Sequence, residues 1–101
     1  MRSTYQFTED GDKDLDEIWE YIAASSIEAA DRVTLEVRSA CQRLAERPGI
    51  GHTRQDLTGR PLKFWSVYSY LIVYDPDTSP LQIIAVLHGA RDVESLMKRR
   101  G

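Results

Sequence analysis

Residues 62–88 of the 101-residue chain read LKFWSVYSYLIVYDPDTSPLQIIAVLH, and this stretch decides the fold. Residues 62–68 alternate between two faces, which is typical of a β-strand. Residues 70–75 form a nearly continuous apolar run, which predicts a buried central strand. The turn-forming segment at 76–80 leads into a third apolar strand at 81–88. The spacing of the three runs predicts an antiparallel meander.

The N-terminal half carries the spacing of helices. After a short opening strand at residues 2–7, Thr8 can cap a helix whose first turn carries carboxylates. The apolar residues that follow recur at helical intervals and form one stripe, which consists of Leu15, Ile18, Trp19 and Ile22. Ser26 is the predicted N-cap of a second helix, which ends near Arg47 because Pro48 disfavours helical geometry in the residue before it. Two helices joined by so few residues predict an antiparallel hairpin.

The C-terminal residues complete the predicted architecture. Asp92 can cap a short helix that holds Val93, Leu96 and Met97. The sequence therefore predicts a single α+β domain over residues 1–101 with two layers. Its predicted elements are an N-terminal strand, an antiparallel two-helix hairpin, a three-stranded antiparallel meander and a short C-terminal helix.

Composition excludes several classes of protein. The chain has one Cys, so it has neither an internal disulfide nor a cysteine-rich zinc site. No apolar stretch reaches the roughly 20 residues that cross a bilayer, and the N-terminus has no apolar signal region. We therefore expect a soluble cytoplasmic protein without a membrane partner. No nucleotide-binding, metal-binding or nucleophile motif occurs, so we expect neither a cofactor nor a metal.

Charge is distributed unevenly along the chain. The formal net charge is −3, which argues against a strong nucleic-acid binder. Residues 1–46 hold 5 basic and 11 acidic residues, whereas residues 47–101 hold 8 basic and 5 acidic residues. One face could meet an anionic partner that another face repels, although a solvated surface with a chance split fits the same numbers.

One set of cationic residues could carry chemistry. Arg54, Arg60 and Lys63 fall in or after the predicted loop, and His88 and Arg91 fall at the end of the last strand. If the chain after residue 88 approaches the 60–66 segment, these groups would suit phosphate binding, or a ribonuclease that stabilises a crowded phosphorane. Loose surface ion pairs are the alternative interpretation of the same residues.

The ordered segments together resemble the ParE/RelE superfamily of bacterial type II toxin–antitoxin toxins. The resemblance covers nearly the whole chain and depends most on two motifs, a Pro-x-x-Gly after the second helix and a hydrophobic-His-Gly-x-Arg-Asp ending. It is carried by Asp14-Leu15, Ile18, Tyr21-Ile22, Leu44 to Gly51, Arg54, Asp56-Leu57, Arg60, Tyr70 to Tyr74 and Val86 to Asp92.

The resemblance implies a growth-inhibiting toxin that a cognate antitoxin neutralises in a hetero-oligomeric complex. RelE-like members are ribosome-dependent mRNA endonucleases, whereas ParE-like members poison DNA gyrase. The tail after Arg91 has neither Tyr nor His, and the acidic net charge fits poorly with docking into ribosomal RNA. The ParE-like branch is therefore favoured, and an mRNA endoribonuclease or a non-toxic antitoxin-binding module remains as an alternative.

Each hypothesis assigns its own site residues. A gyrase-directed toxin would contact its target through the C-terminal segment, at Arg91, Lys98, Arg99 and Arg100. An endoribonuclease would place Arg60, Lys63, His88 and Arg91 at the phosphate. Trp19 and Trp65 are interpreted as core or interface anchors and are the predicted antitoxin contacts. An apolar groove between the hairpin and the sheet would suit a partner helix.

Overall fold

The predicted order of elements is confirmed in a computed structural model, which describes residues 3–89 and 93–99. The elements are β1 (Tyr5–Phe7), α1 (Glu9–Ala23), α2 (Ile27–Glu46), a 3₁₀ turn (Pro48–Ile50), β2 (Lys63–Val67), β3 (Tyr70–Asp75), β4 (Leu81–His88) and α3 (Val93–Arg99). The α+β class, the hairpin, the meander and the short terminal helix are all as the sequence indicates. Among the described residues, no helix is long and apolar enough to cross a membrane.

The four strands form one sheet in the order β1-β4-β3-β2. The predicted meander is present, because β2 pairs with β3 and β3 pairs with β4, both antiparallel. The opening strand β1 lies on the other side of β4 and runs parallel to it. This pairing lasts only three residues, so β1 covers the first half of β4, and the second half of β4 has a strand neighbour only on its β3 side.

Both predicted N-caps form. The Thr8 hydroxyl accepts a hydrogen bond from the Gly11 N–H at 3.1 Å, and the Ser26 hydroxyl accepts one from the Ala29 N–H at 3.1 Å. The two caps fix where α1 and α2 begin, and α1 then packs on both α2 and β4. The resulting main core includes Leu15, Ile18, Val37, Cys41, Leu44, Ile72, Tyr74 and Ile83.

A second buried cluster lies on the opposite face of the sheet. Phe64, Val73 and Leu87 alternate with the residues of the main core along their strands, so they point away from the hairpin. Val93 and Met97 of α3 belong to this second cluster. The hairpin and α3 therefore cover opposite faces of the sheet, an arrangement that the predicted two-layer packing does not include.

The loop after α2 is held by a buried tyrosine. The Tyr74 hydroxyl accepts a hydrogen bond from the Gly51 N–H at 3.0 Å and donates one to the Pro48 carbonyl at 2.7 Å. Burial raises the pKa of the Tyr74 phenol, while the bond from Gly51 opposes that rise. The neutral phenol thus joins the turn to the middle of the sheet.

Candidate functional site

A cleft of about 490 Å³ opens between α1 and the adjoining ends of β3 and β4. On the helix side it is lined by Asp14, Glu17 and Tyr21, which follow one another at intervals of three and four residues and so share one face of α1. On the sheet side it is lined by Tyr70 and His88, which are paired across β3 and β4. The predicted groove between hairpin and sheet exists here, but carboxylates border it.

Asp14 holds the helix side of the cleft in place. Its side chain is 6% exposed, and its Oδ2 accepts a hydrogen bond from the backbone N–H of Val86 at 3.0 Å. Because β1 pairs with β4 only as far as Ile83, the Val86 N–H has no strand partner on that side. The carboxylate replaces the missing strand, so Asp14 is a structural tie between α1 and β4.

Aromatic rings surround the mouth of the cleft. The ring of Tyr70 meets the ring of His88 edge to face, with centroids 5.4 Å apart. Tyr21 is 78% exposed, although it is one of the largest side chains of α1. An exposed tyrosine beside a cleft is typical of protein–protein contact surfaces.

The two tryptophans occupy different parts of the hairpin side. Trp19 is half-buried and its Nε1 donates a hydrogen bond to Asp31 at 2.8 Å, which joins α1 to α2. Trp65 is half-buried on β2 and stacks on the ring of His52, with centroids 6.2 Å apart. Neither lines the cleft, and their assignment as antitoxin contacts stays a prediction.

The cationic residues proposed for an endoribonuclease do not form one cluster in the part of the chain that the structure describes. Lys63 and His88 lie at opposite ends of the sheet, because Lys63 pairs with Tyr74 and His88 pairs with Tyr70. They are two strands and four positions apart, a separation of roughly 16 Å. Arg60 is exposed in the loop before β2. Arg91 lies outside the described residues.

The chain after residue 88 does approach the 60–66 segment, as expected, but it does so with apolar side chains. Val93 and Met97 share the second buried cluster with Leu62 and Phe64. Lys63 sits between those two residues in sequence and so points to the hairpin side. The contact between these two segments therefore adds to the hydrophobic core. It does not bring the cationic side chains together at one site for a phosphate.

Two of the residues predicted to contact a target lie on the exposed side of α3. Lys98 is paired with Glu94 at 3.7 Å across one helical turn, and Arg99 is exposed at the end of the helix. Arg91 and Arg100 lie outside the described residues. The helix therefore carries cationic groups to the face of the sheet that lies opposite the hairpin.

Two further candidates for chemistry, Arg54 and Cys41, are each engaged within the protein itself. Arg54 donates two hydrogen bonds to Asp56, which raise the pKa of the guanidinium and lower that of the carboxyl. Burial raises the pKa of the Cys41 thiol to about 12, so it stays protonated and is a poor nucleophile. No group of three metal-ligating side chains occurs within the described ranges.

Neither Glu17 as a site residue nor the surface role of Tyr21 was predicted from the sequence. Both lie beside the predicted apolar stripe, where helical spacing assigns residues to solvent. The spacing of Glu17 and Tyr21 was the available signal, because residues four positions apart share one face of a helix. An aromatic residue and a carboxylate together on an exposed face indicate a contact surface. What this site offers is a concave, acidic and aromatic surface, which suits recognition of a partner better than covalent chemistry.

The chain is similar to known proteins in both sequence and fold. A family model described as the ParE toxin of type II toxin–antitoxin system, parDE, matches residues 5–93. The chain is similar to a solved structure described as the chromosomal ParDE TA system from P. aeruginosa, with a TM-score of 0.70 and 14% sequence identity. That likeness covers 86% of this chain and 96% of the other and shows a shared fold. No curated protein matches the sequence significantly.

Proposed function

The chain belongs to the ParE toxin family of type II toxin–antitoxin systems, and from this premise we propose that its target is DNA gyrase. As a toxin of such a system, it has an antitoxin as its partner. The observation that carries the proposal is the match of the ParE family model over residues 5–93. The action would take place in the cytoplasm, where gyrase works.

The arrangement of charged groups supports gyrase over an mRNA target. An endoribonuclease needs a base, an acid and cationic clamps around a single phosphate. Lys63 and His88, two of the residues assigned to that role, are roughly 16 Å apart on the sheet. The exposed cations Lys98 and Arg99 lie together on α3 instead, so this helix is the proposed contact surface for the target.

An assay with purified gyrase tests the target. The chain is incubated with gyrase, ATP and relaxed or supercoiled plasmid, and the topoisomers and cleaved DNA are separated on a gel. We expect loss of supercoiling or accumulation of cleaved plasmid, and relief of either effect when the cognate antitoxin is added. Unchanged topoisomers at a large molar excess of folded chain would overturn the gyrase proposal.

Two matched variants test the contact surface. Lys98→Glu combined with Arg99→Glu reverses two charges on α3, and we expect it to weaken gyrase inhibition about tenfold or more. Lys13→Glu combined with Arg32→Glu reverses two exposed charges on the hairpin and serves as the control. Equal loss of activity in both variants would show that α3 is not a specific contact.

The same preparation separates the remaining alternatives. A ribosome-dependent endoribonuclease would cut message in a translating extract, and that activity would fall in the Lys63→Ala variant. A non-toxic antitoxin-binding module would leave both gyrase and message unaffected while it still binds the antitoxin.

A further inference from the structure

We propose that the cleft between α1 and the ends of β3 and β4 binds an arginine side chain of the cognate antitoxin. The inference rests on the proposed function only in that it requires an antitoxin partner; it is independent of the gyrase target. It names the chemistry by which the partner is recognised at one place on the toxin.

The acidic side chains that line the cleft favour a positively charged ligand. Asp14 and Glu17 supply two carboxylates from one face of α1, and none of the described residues that line the cleft is Lys or Arg. Glu17 is exposed and makes no hydrogen bond or ion pair within the described part of the chain. Its carboxylate is therefore available to a group supplied by another molecule. A positive side chain that enters here meets the attraction of the exposed Glu17 carboxylate.

The rings at the mouth favour arginine over lysine. Tyr21 and Tyr70 line the cleft on its helix side and its sheet side, and Tyr21 is 78% exposed. A guanidinium stacks on an aromatic face and donates two parallel hydrogen bonds to a carboxylate, whereas an ammonium is a strongly hydrated point charge. A carboxylate, the exposed ring of Tyr21 and the half-buried ring of Tyr70 share one cleft and match the planar, cationic group.

The size of the cleft fits a side chain that arrives on a longer segment. A volume of about 490 Å³ holds more than one guanidinium, so neighbouring parts of the antitoxin also enter. Ile18 forms part of the lining and offers apolar contact to them. The arginine is thus the charged anchor of a mostly apolar contact, an arrangement that is common at interface hot spots.

Binding measurements on the full-length toxin and the purified cognate antitoxin test the inference. Calorimetry with the Glu17→Gln toxin is expected to show about tenfold weaker affinity than wild type, with a smaller dependence on salt, because one charge-assisted contact is lost. The neighbouring exposed acid provides the matched control, and Asp16→Asn is expected to bind within about twofold of wild type. The Tyr21→Ala toxin is a second variant, expected to weaken binding by a similar factor.

A charge-swap experiment identifies the partner residue. Each Arg of the antitoxin is changed to Glu in turn and tested against wild-type toxin and against Glu17→Arg toxin. We expect one Arg→Glu variant of the antitoxin to bind wild-type toxin at least tenfold more weakly than the unchanged antitoxin does. The same variant should bind the Glu17→Arg toxin with most of the original affinity. Lys to Glu exchanges run in parallel, and rescue by one of those instead would overturn the choice of arginine.

Several outcomes would overturn the inference and leave the gyrase proposal standing. A Glu17→Gln toxin that binds the antitoxin as tightly as wild type contradicts it. So does an Asp16→Asn toxin whose binding is weakened as much as that of Glu17→Gln. So does a set of swaps in which no antitoxin residue rescues Glu17→Arg. An antitoxin that binds normally to a chain without effect on gyrase would instead overturn the target and keep this site. If the cognate antitoxin fails to bind wild-type toxin at all, the arginine proposal fails, and the gyrase assay on the toxin alone still decides the target.

Discussion

Gly11 decides how closely the first helix can lie on the sheet. A Cβ atom added at this position would stand 2.5 Å from the carbonyl oxygen of Ile83, which is backbone and cannot swing aside. Within a helix, Ala is ordinarily preferred to Gly by about 1 kcal/mol. Here the collision outweighs that preference, so the glycine is required by packing and not by backbone conformation.

We therefore expect Gly11→Ala to lower the free energy of unfolding by about 1–3 kcal/mol, because α1 must shift away from β4. Gly59→Ala is the matched control, since an added Cβ there meets nothing within 4 Å, and its effect should stay within about 0.5 kcal/mol. Urea unfolding followed by circular dichroism measures both. A Gly11→Ala protein as stable as the control would contradict the close packing.

Cys41 makes stability fall at alkaline pH. Its thiol is fully buried in the main core, and its pKa is raised from 9.0 to about 12. In the unfolded chain the thiol ionises near 9.0, whereas the folded protein keeps it protonated until about pH 12. Ionisation therefore stabilises the unfolded state relative to the folded one as pH rises through this window, so the stability that is present below pH 9.0 is progressively lost.

A comparison with Cys41→Ala isolates this effect. Between about pH 8 and about pH 10.5, wild type should lose about 2 kcal/mol more stability than the variant, because only wild type carries the titrating thiol. Other groups that ionise in this range, including Tyr74, are common to both proteins and cancel in the difference. A stability difference that stays constant with pH would show that the thiol is solvated.

At the scale of elements, the helices and the meander could be predicted because their signals are local. The caps Thr8 and Ser26 and the apolar stripe of α1 are visible within a few residues of sequence. The partner of β1, however, depends on contacts more than 70 residues away, at Leu81 to Ile83. The pairing of β3 with β4 shifts register between Val73 and Tyr74. This irregularity is likewise set by packing and leaves no local pattern in the sequence.

The position of α3 could not be predicted for a related reason. An apolar stripe such as Val93 and Met97 shows that a helix buries one face, but not which surface receives it. The receiving surface is built from the other face of the meander, at residues such as Phe64 and Leu87. The candidate site was partly predictable: the groove between hairpin and sheet was expected, whereas its acidic side depended on where Glu17 lies relative to β4.

The second buried cluster depends on α3 to cover the face of the sheet opposite the hairpin, so truncating a buried side chain of α3 should lower stability. Met97 is 2% exposed, so Met97→Ala should lower the free energy of unfolding by about 2–5 kcal/mol. Lys98→Ala changes the adjacent exposed position and should stay within about 0.5 kcal/mol. Thermal and urea unfolding measure both variants. A Met97→Ala shift as small as that of the control would place α3 away from the sheet.

At the scale of the whole molecule, the acidic side chains of α1 and the cationic side chains of α3 lie on different faces. The acidic residues of the first half lie mainly on the exposed side of α1, at Glu9, Asp10, Asp12, Asp16, Glu17 and Glu20. The exposed cations Lys98 and Arg99 lie on α3, across the sheet from the hairpin. The proposed antitoxin site lies on the first of these faces, and the proposed target contact lies on the other.

The two proposals together assign the antitoxin and the target to separate surfaces. Neutralisation then requires either that the antitoxin covers both faces or that the antitoxin, once bound, keeps the target away by its bulk. In either case the toxin is harmless while the complex persists and active once the antitoxin is lost.

Growth of a bacterial culture tests this account most directly. The full-length chain is expressed from a tightly controlled promoter, alone or together with the cognate antitoxin, and colony-forming units are counted over time. The account predicts that growth stops soon after induction of the chain alone and continues when the antitoxin is present. A culture that grows normally while folded chain accumulates without antitoxin would contradict it.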